Sequence, residues 1–289
     1  MTIRVLLTND DGIQAEGLQA IRRALVRLPG VDLRVVAPDG NRSATARAIT
    51  VRRPLAVAEV PFDDGTVGLA TDGMPTDCVR LATHGVIEDW RPDLVVSGIN
   101  HGANLGEDVT YSGTVAAALE AVIHDIPGIA LSMASPHGEW SLRREHTWDF
   151  SAAAEVGARV VAELQRGLLP GSGETPPAGA VPVPERTILN VNVPLGAPEA
   201  VEITRLGRRR YRDELQPVET LPDGRRSYWL YGTDHGFEPV PGSDLAAVAA
   251  GRVSITPLHL DLTHETAIAP LEGHGFEGLL DRLGELVEE

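Results

Sequence analysis

An apolar run from Ile3 to Leu7 stops abruptly at two adjacent carboxylates, in the string Leu6-Leu7-Thr8-Asn9-Asp10-Asp11-Gly12. Neighbouring acids at the end of a buried strand repel each other and resist desolvation. Either both face water or positive charge is supplied beside them, and a divalent cation is the simplest supply. Adjacent residues of an extended chain point to opposite faces, so the backbone must turn before both carboxylates can reach one ion. Gly12 allows that turn. Hard oxygen donors suit Mg²⁺ or Mn²⁺ better than zinc. The same acids also suit the N-terminal cap of a following helix.

The residues after the pair set the fold class. Leu18, Ile21, Leu25 and Leu28 recur at helical spacing, and Leu33 to Pro38 reads as a second strand. Strand, helix and strand in so short a span form a βαβ unit, which implies a parallel sheet with a right-handed crossover. Ligands of such sheets bind beyond the carboxyl ends of the strands, where Asp10, Asp11 and Asp39 lie.

The rest of the chain continues the pattern. Residues 39–54 form a polar loop, and short strands flank an Asp63-Asp64-Gly65 turn. A helix is expected over Thr76 to Val86, with Thr76 or Asp77 near its N-cap. Asp93 to Gly98 reads as a strand and Ile99 to Gly106 as a loop rich in Gly and Asn. Ser112-Gly113-Thr114 opens a helix running to His124, Gly128 to Met133 is a strand, Phe150 to Leu168 a helix and Thr187 to Val193 a strand. Prolines at 170, 176, 177, 182 and 184 mark residues 170–186 as a linker or surface loop. From Val201 the character changes. Arg205, Arg208, Arg209, Arg210 and Arg212 precede an Asp223-Gly224 hairpin signal and the aromatic run Ser227 to Tyr231. Gly251 to Leu258 reads as a late strand, and Phe276 to Val287 as an amphipathic helix. The expected architecture is α/β, a Rossmann-like three-layer α/β/α core with a mostly parallel sheet over residues 1–200. An extended C-terminal β arm for oligomerisation, with a final helix, occupies residues 201–289.

Composition removes several function classes. The net charge of -16 argues against binding duplex nucleic acid or anionic membrane. All 25 basic residues are Arg, which excludes Schiff-base lysine chemistry and a P-loop lysine. The single cysteine, Cys78, excludes an internal disulfide and a multi-cysteine metal site. The chain runs from Met1 into a strand, and no apolar run approaches 18 residues, so a cytoplasmic location is expected.

Two further stretches bear on the acids. The end of the strand at Asn100 can lie near Asp10 in a parallel sheet, where its amide oxygen would complete a coordination shell. Ser112-Gly113-Thr114 at a helix start offers hydroxyls, backbone N–H groups and the helix dipole to a phosphate, although an ordinary N-cap has the same composition. A cation site beside an anion site suits metal-assisted phosphoryl transfer.

Across these blocks the sequence resembles the SurE family, the survival-protein-E nucleotidases. The resemblance is carried by Thr8-Asn9-Asp10-Asp11-Gly12-Ile13, Arg42-Ser43, Pro75-Thr76-Asp77-Cys78, and Ser97-Gly98-Ile99-Asn100 with Asn104-Leu105-Gly106. It continues in Tyr111-Ser112-Gly113-Thr114-Val115-Ala116-Ala117 and Ser254-Ile255-Thr256-Pro257-Leu258. It implies a divalent-metal phosphatase (Mg²⁺ or Mn²⁺, with Co²⁺ as a further candidate) acting on nucleoside 5′- and 3′-monophosphates and, in some members, polyphosphate. It places metal ligands at Asp10, Asp11, Ser43 and Asn100, and phosphate contacts at Asn104, Ser112, Gly113 and Thr114. Asp10 or Asp11 would also orient or deprotonate the attacking water. It further implies a homodimer or homotetramer. Two departures, Ala44 where the family has glycine and Met74 where it has threonine, touch no metal position. The rival readings are a metal-dependent nucleoside hydrolase and a non-catalytic nucleotide-binding regulator.

Overall fold

The structure is a computed structural model, and it describes residues 2–135, 147–168, 183–211, 215–230 and 236–274. In chain order its strands are β1 (Ile3–Thr8), β2 (Val31–Pro38), β3 (Val57–Pro61), β4 (Val67–Thr71), β5 (Leu94–His101), β6 (Gly128–Met133), β7 (Thr187–Val193) and β8 (Val201–Ile203). They are followed by β9 (Arg209–Arg210), β10 (Gln216–Thr220), β11 (Arg226–Trp229), β12 (Gly236–Phe237) and β13 (Val253–His259). The helices are α1 (Glu16–Val26), α2 (Pro75–Thr83), α3 (Gly113–Ile123), α4 (Ser151–Glu163), α5 (Asp244–Ala249) and α6 (Glu265–Glu272). Nine strands form one sheet in the order β3-β4-β2-β1-β5-β6-β7-β13-β8. The pairings from β4 to β7 are parallel, whereas β3 and β13 run antiparallel to β4 and β7.

The first strand shows why the sheet is covered on both sides. Val5 and Leu7 pack with Leu18, Ile21 and Leu25 of α1 and with Ala154, Ala158 and Val161 of α4. Leu6, pointing the other way, joins Cys78 and Val79 of α2 and Ala117 and Ala121 of α3. A strand buried on both faces reads as a continuous apolar run, as a parallel sheet between two helix layers requires. The α/β fold expected from the sequence is the one observed. Cys78 is fully buried, and burial pushes its thiol far above the ordinary range, which suits a structural residue.

Three boundaries differ from the sequence reading. The β5 strand runs past Gly98 through Ile99 and Asn100 to His101, although these residues read as loop. The ladder with β6 shifts register between Ser97 and Asn100. Gly98, at φ +142°, lies so close to Leu131 that an added Cβ would sit 2.2 Å from its carbonyl oxygen. Only glycine permits that approach. The N-cap of α2 is Met74, with Pro75 in the first turn, and Asp77 reaches back to accept from the Met74 N–H at 2.9 Å. The strands β8 and β13 lie beyond residue 200 and still belong to the central sheet. The polar-aromatic stretch between them supplies β9, which pairs with β12, and the β10–β11 hairpin, turned at Gly224 with φ +86°. Residues 260–289 form a separate unit in which α6 is described. The helix expected over 276–287 and most of the proline-rich linker lie outside the described residues.

The register of β1 against β5 is clamped at the edge opposite the acids. The Arg4 guanidinium meets the Asp93 carboxylate through Nε at 3.0 Å and Nη2 at 2.6 Å, and the backbone N–H of Arg4 donates to it at 2.9 Å. Four residues on, the pairing Thr8 with Ser97 brings Asp10 and Asn100 to a common edge. Burial, the largest influence on Asp93, raises its pKa. The bonds and charge of Arg4 together outweigh it and hold the carboxylate below the usual 3.8. A lowered folded pKa contributes stability that is complete above the unfolded value and lost as the pH falls through the folded one. Asp93→Asn should therefore cost about 0.5–1 kcal/mol at pH 7, a figure discounted for solvent screening. Urea unfolding from pH 7 to pH 2 should show the gap between the two proteins constant down to about pH 4 and closing below it.

Candidate active site

Asp10 is 2% exposed although it lies two residues beyond the end of β1. The chain turns at Gly12, φ +107°, and Asn9 brackets the turn by donating to the Gly12 carbonyl at 2.9 Å and accepting from its N–H at 3.1 Å. The Asp10 carboxylate faces the first turn of α3. Thr114 Oγ1 donates to Asp10 Oδ1 at 2.5 Å, and the Thr114 N–H also favours the ionised carboxylate. The helix approaches so closely that a Cβ on Gly113 would lie 2.8 Å from both Cβ and Oδ2 of Asp10. Despite these donors, burial first and the Asp11 charge second push the Asp10 pKa up to about 6. At neutral pH Asp10 is still mostly ionised, and the neighbouring Asp11 carboxylate opposes its charge.

Asp11 is held from the other side. Its Oδ2 lies 2.9 Å from His101 Nδ1 and accepts the His101 backbone N–H at 3.3 Å, while Oδ1 meets Asn41 at 3.4 Å. Asn100 donates from Nδ2 to the Gly102 carbonyl at 2.7 Å, which leaves its Oδ1 as the atom able to face a cation. Among the described residues no guanidinium pairs with Asp10, and no group of three His, Cys, Asp or Glu side chains is arranged for a metal. The donor set is instead two carboxylates with neutral oxygens, and an uncompensated carboxylate pair of this kind fits a hard divalent cation.

Ser43 is exposed, on the loop after β2. Its N–H donates to Asn41 Oδ1 at 2.9 Å, and the Arg42 N–H ties the same loop to the Asp10 carbonyl at 2.6 Å. Farther along, Arg47 reaches the buried Glu120 of α3 at 3.1 Å, a carboxylate it shares with Arg80 at 3.3 Å. Thr76 bonds the Ala48 carbonyl, and the Thr50 N–H donates to Asp77 at 3.1 Å. A polar loop thus returns to the site on anchors far away in sequence.

The phosphate candidates divide. Ser112 Oγ accepts from the Val115 N–H at 3.1 Å as an N-cap, which leaves its own O–H to donate. Thr114, expected at the phosphate, is turned to Asp10 through both hydroxyl and N–H, so the structure makes it a partner of the carboxylate. Asn104 is 7% exposed, and its Nδ2 donates to Ser132 Oγ at 2.8 Å. Its backbone bonds Asn190 and Asn192, which fixes the loop after β5 to β7. The sequence reading gave His101 no role, and its position directly after Asn100 is the only sequence signal that it would reach Asp11.

Known proteins share this fold and sequence. The family model described as Survival protein SurE matches residues 5–213. A 5′-nucleotidase SurE of Rubrobacter xylanophilus is 45% identical over 93% of this chain and 96% of its own length. One of Herpetosiphon aurantiacus is 46% identical over 91% and 94%. The crystal structure of the SurE protein from Aquifex aeolicus superposes with a TM-score of 0.72 at 35% identity, covering 94% of this chain and 99% of that one.

Gly113→Ala should force Asp10 or the helix start to shift. A loss of about 1–3 kcal/mol in urea unfolding, as for overpacked interiors, is the expected outcome.

Proposed function

The chain belongs to the SurE family and is a hydrolase of the 5′-nucleotidase class, and on that premise we propose that Asp10, Asp11, Ser43 and Asn100 form a divalent-metal site for cleaving nucleoside monophosphates. The observation that carries this reading is the buried Asp10 carboxylate seated directly on the N-terminus of α3, with Asp11 beside it and no paired guanidinium among the described residues. A bound Mg²⁺, Mn²⁺ or Co²⁺ supplies Lewis acidity, polarising a phosphoryl oxygen and lowering the pKa of water.

The protein's own groups do the rest. Thr114 keeps Asp10 ionised and oriented. His101 fixes one oxygen of Asp11, and Asn41 meets the other at 3.4 Å. Ser112 O–H and the Gly113 N–H supply donors at the positive end of α3, where charge accumulates on the transferring group. The remaining amide hydrogen of Asn104, whose other one is held by Ser132, adds a donor. Asp10 or Asp11 orients or deprotonates the attacking water. Hydrolysis of 3′-monophosphates and of polyphosphate extends the same chemistry to other leaving groups. Exposed Val218, Tyr228, Trp229 and Leu230 on the β10–β11 hairpin support assembly into a dimer or tetramer.

Inorganic phosphate should be released from AMP, GMP, 3′-AMP or polyphosphate after chelation and re-addition of Mg²⁺, Mn²⁺ or Co²⁺. Asp10→Asn and Asp11→Asn should each lower kcat/KM by about 10²–10³-fold, the loss of several kcal/mol of transition-state stabilisation. Release of free base without phosphate would instead favour a nucleoside hydrolase, and undiminished turnover in both variants would remove the aspartates from catalysis. Thr114→Val should weaken metal affinity by about 10–100-fold while the fold is retained, as loss of a bond to a ligating carboxylate does.

A further inference from the structure

Asn104 lies three residues past the end of β5, with no ladder or helix of its own to hold it, yet it is buried. Side chains from two neighbouring strands take its polar groups. Asn192 Oδ1 accepts the Asn104 N–H at 2.8 Å, and the Nδ2 atoms of Asn190 and Asn192 converge on its carbonyl at 2.9 and 3.1 Å. Ser132 Oγ accepts one hydrogen of its amide at 2.8 Å. With the backbone and one amide hydrogen held, the direction of the other amide hydrogen is fixed.

The strand period produces this clamp. Leu189, Val191 and Val193 pack into the core shared with α1 and α4, so Asn190 and Asn192 project from the opposite face of β7. Asn192 pairs with Ser132 of β6, which sets the holding side chains next to one another. Asn190, Asn192 and Ser132 are all fully buried.

Stability does not explain Asn190. Its Oδ1 is buried and meets no donor among the described residues. A carboxamide buried with an unmet acceptor works against folding, and a hydrocarbon side chain there would not. What Asn190 supplies is a bond to the Asn104 carbonyl, an acceptor that Asn192 already satisfies. Two donors on one carbonyl set an orientation.

We infer that Asn190 and Asn192 are positioning residues, which aim the free amide hydrogen of Asn104 at the transferring phosphoryl group. The assignment rests on the phosphate role proposed for Asn104. A donor acts on developing charge only where it is held in place beforehand. Ser112 and Gly113 are held by α3 itself, whereas Asn104 depends on β7.

The test is a double-mutant cycle on AMP hydrolysis with Mn²⁺. Asn190→Leu leaves the Asn104 carbonyl bonded to Asn192, and it should lower kcat about tenfold through misplacement of the donor. Asn104→Ala should lower kcat about 10²-fold, as loss of a transition-state donor does. The double variant should be no slower than Asn104→Ala alone, because the clamp acts through that side chain. KM for AMP, Mn²⁺ affinity and the urea midpoint should be unchanged in Asn190→Leu. Unchanged kcat in that variant, an additive loss in the double variant, or a parallel loss of Mn²⁺ affinity would overturn the assignment. If leucine does not fit, Asn190→Ala removes the same bond without added volume and is read by the same criteria. Failure of both variants to fold would make Asn190 a structural residue and overturn it as well. Should the wild type release no phosphate from AMP, the nucleotidase reading falls by itself. Calorimetric binding of orthovanadate, a mimic of the transferring phosphoryl group, then decides the clamp: binding about tenfold weaker in Asn190→Leu supports it, and equal or absent binding overturns it.

Discussion

The contact on which the site depends is the one between Asp10 and the first turn of α3. A carboxylate 2% exposed at the end of a doubly buried strand is held ionised by the Thr114 hydroxyl, the Thr114 N–H and the dipole of the helix. Its pKa still rises, because burial and Asp11 outweigh these donors. The protein itself therefore under-compensates the charge of the pair. A structural acid would ordinarily be matched by an arginine, and this chain has 25 of them. Among the described residues none pairs with Asp10, which leaves room for a cation that is not part of the chain.

The remaining features bring distant donors to that contact. The Arg4–Asp93 clamp sets β1 against β5, so Asn100 and His101 emerge level with the aspartates. Glu120, buried within α3, holds the Ser43 loop through Arg47. A buried charge pair is weak evidence for stability, because desolvation offsets its attraction. Its value here is positional, since it joins the loop to the helix that also carries Thr114. His101 then links Asp11 to the stacked rings of Trp148 and Phe150.

Much of this was legible in the sequence. The unbroken apolar run at Val5-Leu6-Leu7 and the βαβ spacing suffice for a parallel sheet covered on both faces. They also place Asp10 and Asp11 at its binding edge. The end of β5 was not legible, because glycine and asparagine signal a loop locally while pairing with β6 carries the strand on to His101. Nor was the role of Thr114. A hydroxyl at a helix start reads as a phosphate donor, and nothing local announces that tertiary packing also puts a carboxylate in front of it. Ser43 was reached through the family resemblance, since nothing local distinguishes a serine in a polar loop. The His101–Asp11 contact and the Arg47–Glu120 pair join residues 90 and 73 positions apart. Periodicity says nothing at that range.

The central claim is that the uncompensated aspartate pair exists to hold a divalent cation, and Mn²⁺ binding monitored by electron paramagnetic resonance addresses it without reference to any substrate. The account predicts one bound Mn²⁺ per chain in the wild-type protein and its loss in Asp11→Asn at the same metal concentration. Full-stoichiometry binding that survives that substitution would contradict it.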